Sequence, residues 1–167
     1  METDTIKKFI QQIQFFKVFN DHELNKLVGK QKVFKDFKKG EIIFKESDPG
    51  GSLYVLIFGG IQLVKVSDKG VDEAVIMDVS AGTVFGEIAM LTNRKRNLAA
   101  RAATTKVVVM EFPNKLIDKL IPSVQSKFQK QLLLVLAKNL DTMNMRYADL
   151  SASVEIREQL AEGGKIK

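Results

Sequence analysis

The chain predicts a mainly β fold with flanking helices: an eight-stranded, jelly-roll-like β-roll set between N-terminal helices and a long C-terminal helix. Three observations predict it. From Lys32 to Pro113, short runs rich in β-branched and aromatic residues alternate with turns that carry glycine or proline. Before Lys32, apolar residues recur at three- and four-residue spacing. After Ser123 helical spacing returns, and no glycine or proline interrupts it until Gly163-Gly164.

The elements follow in order. Residues 2–30 read as helical, through Ile6, Phe9, Ile10, Ile13 and Phe15 or Phe16. In "FNDHELNKLVGK", Asn20 or Asp21 is the expected N-cap, Glu23 and Leu24 lie in the first turn, and Gly29 stands near the stop. The strand runs are "KVFKDF", "EIIFKE", "SLYVLIF", "IQLVKVS", "EAVIMDV", "TVFGE", "LAARAAT" and "KVVVMEF". Gly40, Pro49-Gly50-Gly51, Gly59-Gly60, Asp68-Lys69-Gly70 and Gly82 punctuate them, and "SDKG" reads as a hairpin turn. "NKLIDKLI" is a short helix stopped by Pro122, after which Ser123 is the expected cap of the long helix. Along that helix Phe128, Leu132, Val135 or Leu136, Leu140, Met143, Tyr147, Leu150, Val154 and Leu160 keep helical or near-heptad spacing. At 1.5 Å per residue such a helix is ~55–60 Å long, more than a domain of this size spans. A homodimer through it is the economical arrangement, because an unpartnered apolar stripe would sit in water; folding back or fraying after Leu150 is the other. The expected division is residues 1–30 as an N-terminal helical segment, 31–113 as the β-roll, and 114–162 as a hinge helix plus the long helix.

Composition narrows the function. A chain of 167 residues is one domain with a helical appendage, large enough to bury a core unaided. The absence of cysteine excludes disulfides and thiolate chemistry and fits a cytoplasmic protein. "METDTIKKFI" has no apolar stretch of the signal-peptide kind, and the longest apolar run, "SLYVLIFGGIQLV", is glycine-broken and too short for a membrane helix. Net charge is +6, but its lysines are scattered, and no helix-turn-helix, zinc-finger or base-stacking pattern accompanies them, so no specific nucleic-acid binding is expected. His22 is the only histidine and falls in the N-terminal helix. The roll therefore has no histidine ligands for a metal and no nucleophile–base pair, and no phosphate-binding "GxxxxGK[ST]" occurs. Neither catalysis nor a metal or cofactor is expected.

One stretch combines the groups needed to hold a ligand: "VFGEIAMLTNRKRNLAARAATT", residues 84–105. Gly86 follows a strand and permits backbone conformations closed to other residues. A helical turn at Ile88 to Leu91 would aim free amides at an anion, and an arginine after it can neutralise that anion. A carboxylate at Glu87 repels a phosphate but accepts hydrogen bonds from a sugar. Glutamate and arginine together can grip a sugar phosphate from both sides; a plain surface salt bridge is the alternative.

"FGEIAML", the short basic gap to Arg96 and "AARAATT" resemble the phosphate-binding cassette of the cyclic-nucleotide-binding domain family, of the catabolite activator protein and protein kinase A regulatory subunit type. The resemblance extends through "KKGEIIFKESDPGGSLYVLIFGGIQLV", "DVSAGTVFGE" and "KVVVMEFPNKLIDKLI", over roughly residues 20–150. It implies that Glu87 binds a ribose 2′-hydroxyl and Arg96 the cyclic phosphate, helped by amides at Ile88 and Ala89 with Gly86 allowing close approach. Asn97 is placed to donate to the phosphate or the base. Leu63, Met77 and Val79 line the base pocket. The long helix covers the base with the turn of Met143, Asn144 and Tyr147, where Asn144 bonds an adenine edge and Tyr147 stacks. The ligand implied is cAMP ahead of cGMP. Ser47 and Leu98 depart from the family's usual glycine and alanine, and Arg94 and Lys95 compete with Arg96 for the phosphate. The function expected is a regulatory sensor that passes ligand binding through its C-terminal helix to a dimer mate or a separate regulated protein. No DNA-binding domain is expected in the residues between that helix and Lys167, so the chain is expected to be either a stand-alone sensor or a fragment of a larger protein. The alternative is a diverged roll used for protein interaction or dimerisation, with a vestigial pocket or a different anionic ligand.

Overall fold

The computed structural model describes residues 10–29, 33–66 and 73–163. The expectations for residues 2–9 and for the turn at 68–70 lie outside the described residues. Two compact units emerge, residues 1–128 and 129–167.

The first unit opens with the helical residues 10–12 and a 3₁₀ turn at Gln14–Phe16, then α1, Asp21–Val28. Asn20, rather than Asp21, caps α1. Its side chain accepts from the Glu23 amide at 2.9 Å, and the Glu23 carboxylate accepts from the Asn20 amide at 2.9 Å. This reciprocal capping box satisfies two amides that a helix start otherwise leaves open.

Eight strands follow: β1 Phe34–Lys38, β2 Ile42–Phe44, β3 Ser52–Phe58, β4 Gly60–Val66, β5 Glu73–Ser80, β6 Val84–Phe85, β7 Ala99–Ala102 and β8 Lys106–Pro113. They form two antiparallel four-stranded sheets, ordered β1-β8-β3-β6 and β2-β7-β4-β5. The β-roll expectation holds, and "TVFGE" shrinks to the two residues of β6.

β3 shows why the sequence reads as it does. Its residues Leu53 to Ile57 are all buried, so it carries a continuous apolar run instead of an alternating one. Tyr54 and Leu56 face the space between the sheets with Phe44, Ile61, Val79, Phe85, Ala100, Ala102, Val107 and Val109. Helical residues cover the other side of β8. Phe112 lies against Phe16 and Phe128, with ring centroids 6.1 and 5.4 Å away, and Phe15 meets Phe128 edge-on. A two-pronged ion pair from Lys127 to Glu23, at 2.8 and 2.7 Å, ties α1 to the chain just before Phe128.

Between β6 and β7 stands a short helix, α2, Glu87–Thr92, and after β8 come the C-terminal helices. α3 is only Asn114–Ile117, continued by turns to Leu120, and α4 is Pro122–Gly163. Pro122 does not merely stop a helix; it is the first residue of the next one, where its missing N–H costs nothing. Ser123 is accordingly inside α4 and not its cap. The first α4 amides, Val124 and Gln125, donate to the Ile121 carbonyl at 3.0 Å each. The 42 residues of α4 amount to roughly 63 Å. No helix among the described residues is long and apolar enough to cross a membrane.

Asn20→Ala removes one half of the capping box. It is expected to lower unfolding free energy by about 1 kcal/mol, read as a lower urea midpoint at unchanged slope.

Candidate functional site

The cassette begins where β6 ends. Gly86 has φ of 74° and turns the chain from β6 into the short helix α2, Glu87–Thr92. A side chain at Gly86 would be strained by that φ, and its Cβ would lie 2.8 Å from Arg96 Nη1. α2 buries Glu87, Ala89 and Met90 and exposes Ile88 and Leu91. It ends on Asn93 in the left-handed region, φ 51°, and the chain returns through Arg94, Lys95 and Arg96 to β7.

A loop of residues 47–51 backs this segment. The Ser47 amide donates to the Arg96 carbonyl at 2.8 Å, and the Arg96 amide to the Asp48 carbonyl at 2.9 Å. Gly50 is pressed against the cassette: a Cβ there would lie 2.5 Å from the Ala89 carbonyl oxygen and nearer still to that of Arg94. The same loop reaches the hinge, because the Asn114 amide donates to the Gly51 carbonyl at 3.0 Å. Ser47 has φ of 68°. A glycine is at ease there and a serine is strained, which gives the departure at Ser47 its physical meaning.

The three basic candidates separate cleanly. Arg94 and Lys95 are exposed, whereas Arg96 is 4% exposed. Its Nη1 donates to the Gly86 carbonyl at 2.5 Å and its Nη2 to the Ser52 carbonyl at 2.6 Å. Its guanidinium carbon lies 4.4 Å from the Phe44 ring centre and 5.6 Å from that of Tyr54. Burial pulls the Arg96 pKa down, opposed by Tyr54, Glu111 and Asp48. Glu87 is 5% exposed. Acid and base of the cassette are thus both interior groups, and a surface salt bridge does not describe them.

The other sequence-predicted residues fall in two places. Leu63 and Met77 are cross-strand partners on β4 and β5, as are Ile61 and Val79. Val79 is a core residue, Leu63 packs on the core, and Met77 is 39% exposed, so the inner face of the second sheet opens toward Met77. Asn97 is exposed and Leu98 half-buried. Met143, Asn144 and Tyr147 belong to α4 in the second unit and are exposed, Met143 at 66% and Tyr147 at 73%. Sequence reasoning missed Ser52, Phe44, Tyr54 and Glu111. The Ser52 hydroxyl donates to Glu111 Oε1 at 2.8 Å and the Tyr54 hydroxyl to the same oxygen at 3.2 Å, while Lys35 pairs with Oε2. No motif spacing marks these residues; Ser52 and Glu111 alone lie 59 positions apart.

The eight-stranded roll thus buries a glutamate and an arginine from one strand–helix–strand segment. The chain belongs to the cyclic nucleotide-binding domain family, whose model matches residues 34–123. It is 33% identical over 87 residues to a cGMP-dependent protein kinase of Toxoplasma gondii, covering 52% of this chain and 8% of that one. It is 28% identical over 115 residues to a CRP-like cAMP-activated global transcriptional regulator of Mycobacterium tuberculosis, covering 69% of this chain and 50% of that one. The chain therefore spans at most half the length of these relatives. In fold it is similar to the crystal structure of a cyclic nucleotide-binding domain from Methylobacillus flagellatus, with a TM-score of 0.67, 21% identity, and coverage of 86% of this chain and 80% of that one.

Two substitutions in the backing loop should move stability in opposite directions. Ser47→Gly relieves the left-handed strain and is expected to raise unfolding free energy by about 1 kcal/mol. Gly50→Ala forces the loop off the cassette and is expected to lower the thermal midpoint by several degrees. Calorimetric melting of both variants checks the pair.

Proposed function

We propose that this chain is a cytoplasmic regulatory sensor that binds a cyclic nucleotide, cAMP ahead of cGMP, and takes no part in catalysis. The observation that carries the reading is the paired burial of Glu87 and Arg96 within one cassette, at 5% and 4% exposure. Burying two ionisable side chains is costly unless they are paired and hydrogen-bonded, and a sugar phosphate offers partners to both. In this reading Glu87 accepts the ribose 2′-hydroxyl and Arg96 meets the cyclic phosphate, with the amides of Ile88 and Ala89 alongside and Asn97 at the rim. Gly86 allows the close approach. Leu63, Met77 and Val79 supply the apolar wall for the base.

Output runs through the hinge. The hydrogen bond from the Asn114 amide to the Gly51 carbonyl supports this, since a loop that contacts the cassette also holds the first residue of α3. A ligand moves such an equilibrium only by its different affinity for the two arrangements. In the ligand-bound arrangement the turn of Met143, Asn144 and Tyr147 covers the base.

The partner is a second copy of the chain, met through α4. Leu133, Leu140, Tyr147 and Val154 recur every seven residues, and Leu136, Met143 and Leu150 stand three residues after the first three of them. All but Leu136 are at least 44% exposed. An apolar seam of this period is the signature of paired helices. Met143 and Tyr147 fall on the seam itself, so one turn of α4 serves both ligand cover and pairing. A separate regulated protein is the other occupant for that seam.

Calorimetric titration with cAMP and cGMP tests the first part. Arg96→Ala is expected to weaken binding by roughly 2–4 kcal/mol, with Arg94→Ala near wild type. Glu87→Ala should cost cAMP more than 2′-deoxy-cAMP. Silence with both nucleotides at millimolar concentration would favour a vestigial pocket instead.

Sedimentation equilibrium tests the second part. The full chain is expected to be dimeric and Leu140→Glu monomeric; a monomeric wild type would assign the seam to another protein.

A further inference from the structure

Arg96 is held by a second set of side chains that belongs to none of the cassette positions. A guanidinium with 4% exposure has lost most of its hydration, and two backbone carbonyls and two rings do not replace a counter-charge. The carboxylates that act on it are Glu111 and Asp48. Asp48 is otherwise engaged, accepting from the Lys45 amide at 2.8 Å through its side chain. Glu111 is tied to the arginine's own seat.

The register of the first sheet sets this up. β3 and β8 pair Tyr54 with Glu111, and Ser52 lies two residues before Tyr54 on the same face of β3. Each of the two residues then works at both ends. Ser52 donates its hydroxyl to Glu111 Oε1 while its carbonyl accepts from Arg96 Nη2. Tyr54 donates its hydroxyl to the same Oε1 while its ring lies beside the guanidinium. Lys35 from β1 occupies the other carboxylate oxygen. One carboxylate thereby cross-links three strands behind one arginine.

We propose that Glu111 is a positioning residue for Arg96: anchored by Lys35, it fixes Ser52 and Tyr54, and these two set the angle at which the guanidinium is presented. The chemistry of the groups agrees with the geometry. Burial pushes the Glu111 carboxyl up, but its bonds from Lys35, Ser52 and Tyr54 outweigh that and leave it below the usual carboxylate range, so it is charged at neutral pH. Burial pushes the Tyr54 phenol up to about 12, which keeps its hydroxyl a donor. With Nη1 and Nη2 committed to carbonyls, Nε is a buried nitrogen of Arg96 with no partner. It is a donor that this seat leaves for an incoming anion. A guanidinium free to rotate would spend that N–H on water.

This inference rests on Arg96 being the phosphate-binding arginine, and the test separates the two. In uniformly ¹⁵N-labelled full chain, the Nε–Hε resonance of Arg96 is followed by its hydrogen exchange, with exposed Arg94 as the internal reference. Glu111→Ala is expected to speed Arg96 exchange about tenfold or more and to move its resonance toward that of Arg94. Glu111→Gln, which keeps an acceptor for Ser52 and Tyr54, should recover most of the wild-type behaviour. Affinity for cAMP should fall about tenfold in Glu111→Ala and recover in Glu111→Gln. Should Glu111→Ala not fold, Tyr54→Phe keeps the ring, removes only the hydroxyl and is expected to show the same changes in smaller measure. An Arg96 resonance that is unmoved in the folded variants overturns the proposal. A wild type that binds no cyclic nucleotide overturns the nucleotide reading instead, and the exchange measurement still decides whether Glu111 seats the arginine.

Discussion

The burial of one positive charge organises this domain. The guanidinium of Arg96 lies inside the roll against the Phe44 and Tyr54 rings, with its two Nη groups on the carbonyls of Gly86 and Ser52. Those four contacts come from β2, β3 and the β6–α2 turn. An unsatisfied buried charge costs several kcal/mol, so every element that supplies a contact is constrained to keep it. Gly86 must leave room for Nη1, Ser52 must present its carbonyl, and the backing loop must hold the Arg96 backbone through Ser47 and Asp48. The cassette is therefore part of the fold's own stability and not an addition to it.

The same constraint links the two apolar layers. β3 faces the inter-sheet core with Tyr54 and Leu56, and β8 turns Phe112 toward Phe16 and Phe128. Aromatic rings fill both layers because they cover a large area with little loss of side-chain freedom. The residues just before β3 contact the cassette at Gly50 and α3 at Gly51. Cassette and hinge are thus one short loop apart, and backbone hydrogen bonds at Ser47, Asp48 and Gly51 make the connection.

Much of this was legible in the chain because the signals were local. Glycine-bearing turns delimited the strands, Asn20 and Glu23 announced the start of α1, and the family resemblance put Arg96 ahead of Arg94 and Lys95. The burial of Arg96 alone among the three gives that choice its physical basis. Proline was misjudged at Pro122, because the same missing N–H that ends one helix suits the first position of the next. Ser47 was marked as a departure, but only its φ of 68° says what the position demands. The Lys35–Ser52–Tyr54–Glu111 group left no trace, since strand register brings its members together and no spacing rule encodes register between β1, β3 and β8.

α2 has two faces with different obligations. Glu87, Ala89 and Met90 are locked inward, whereas Ile88 and Leu91, at 54% and 49% exposure, touch solvent. The inward set is bound by the arginine seat and by the closeness of Gly50, so almost any change there is felt throughout the roll. The outward set carries no such burden. Substitutions at Ile88 and Leu91 therefore leave the arginine seat untouched, and α2 is open to change on its outer side where its inner side is not.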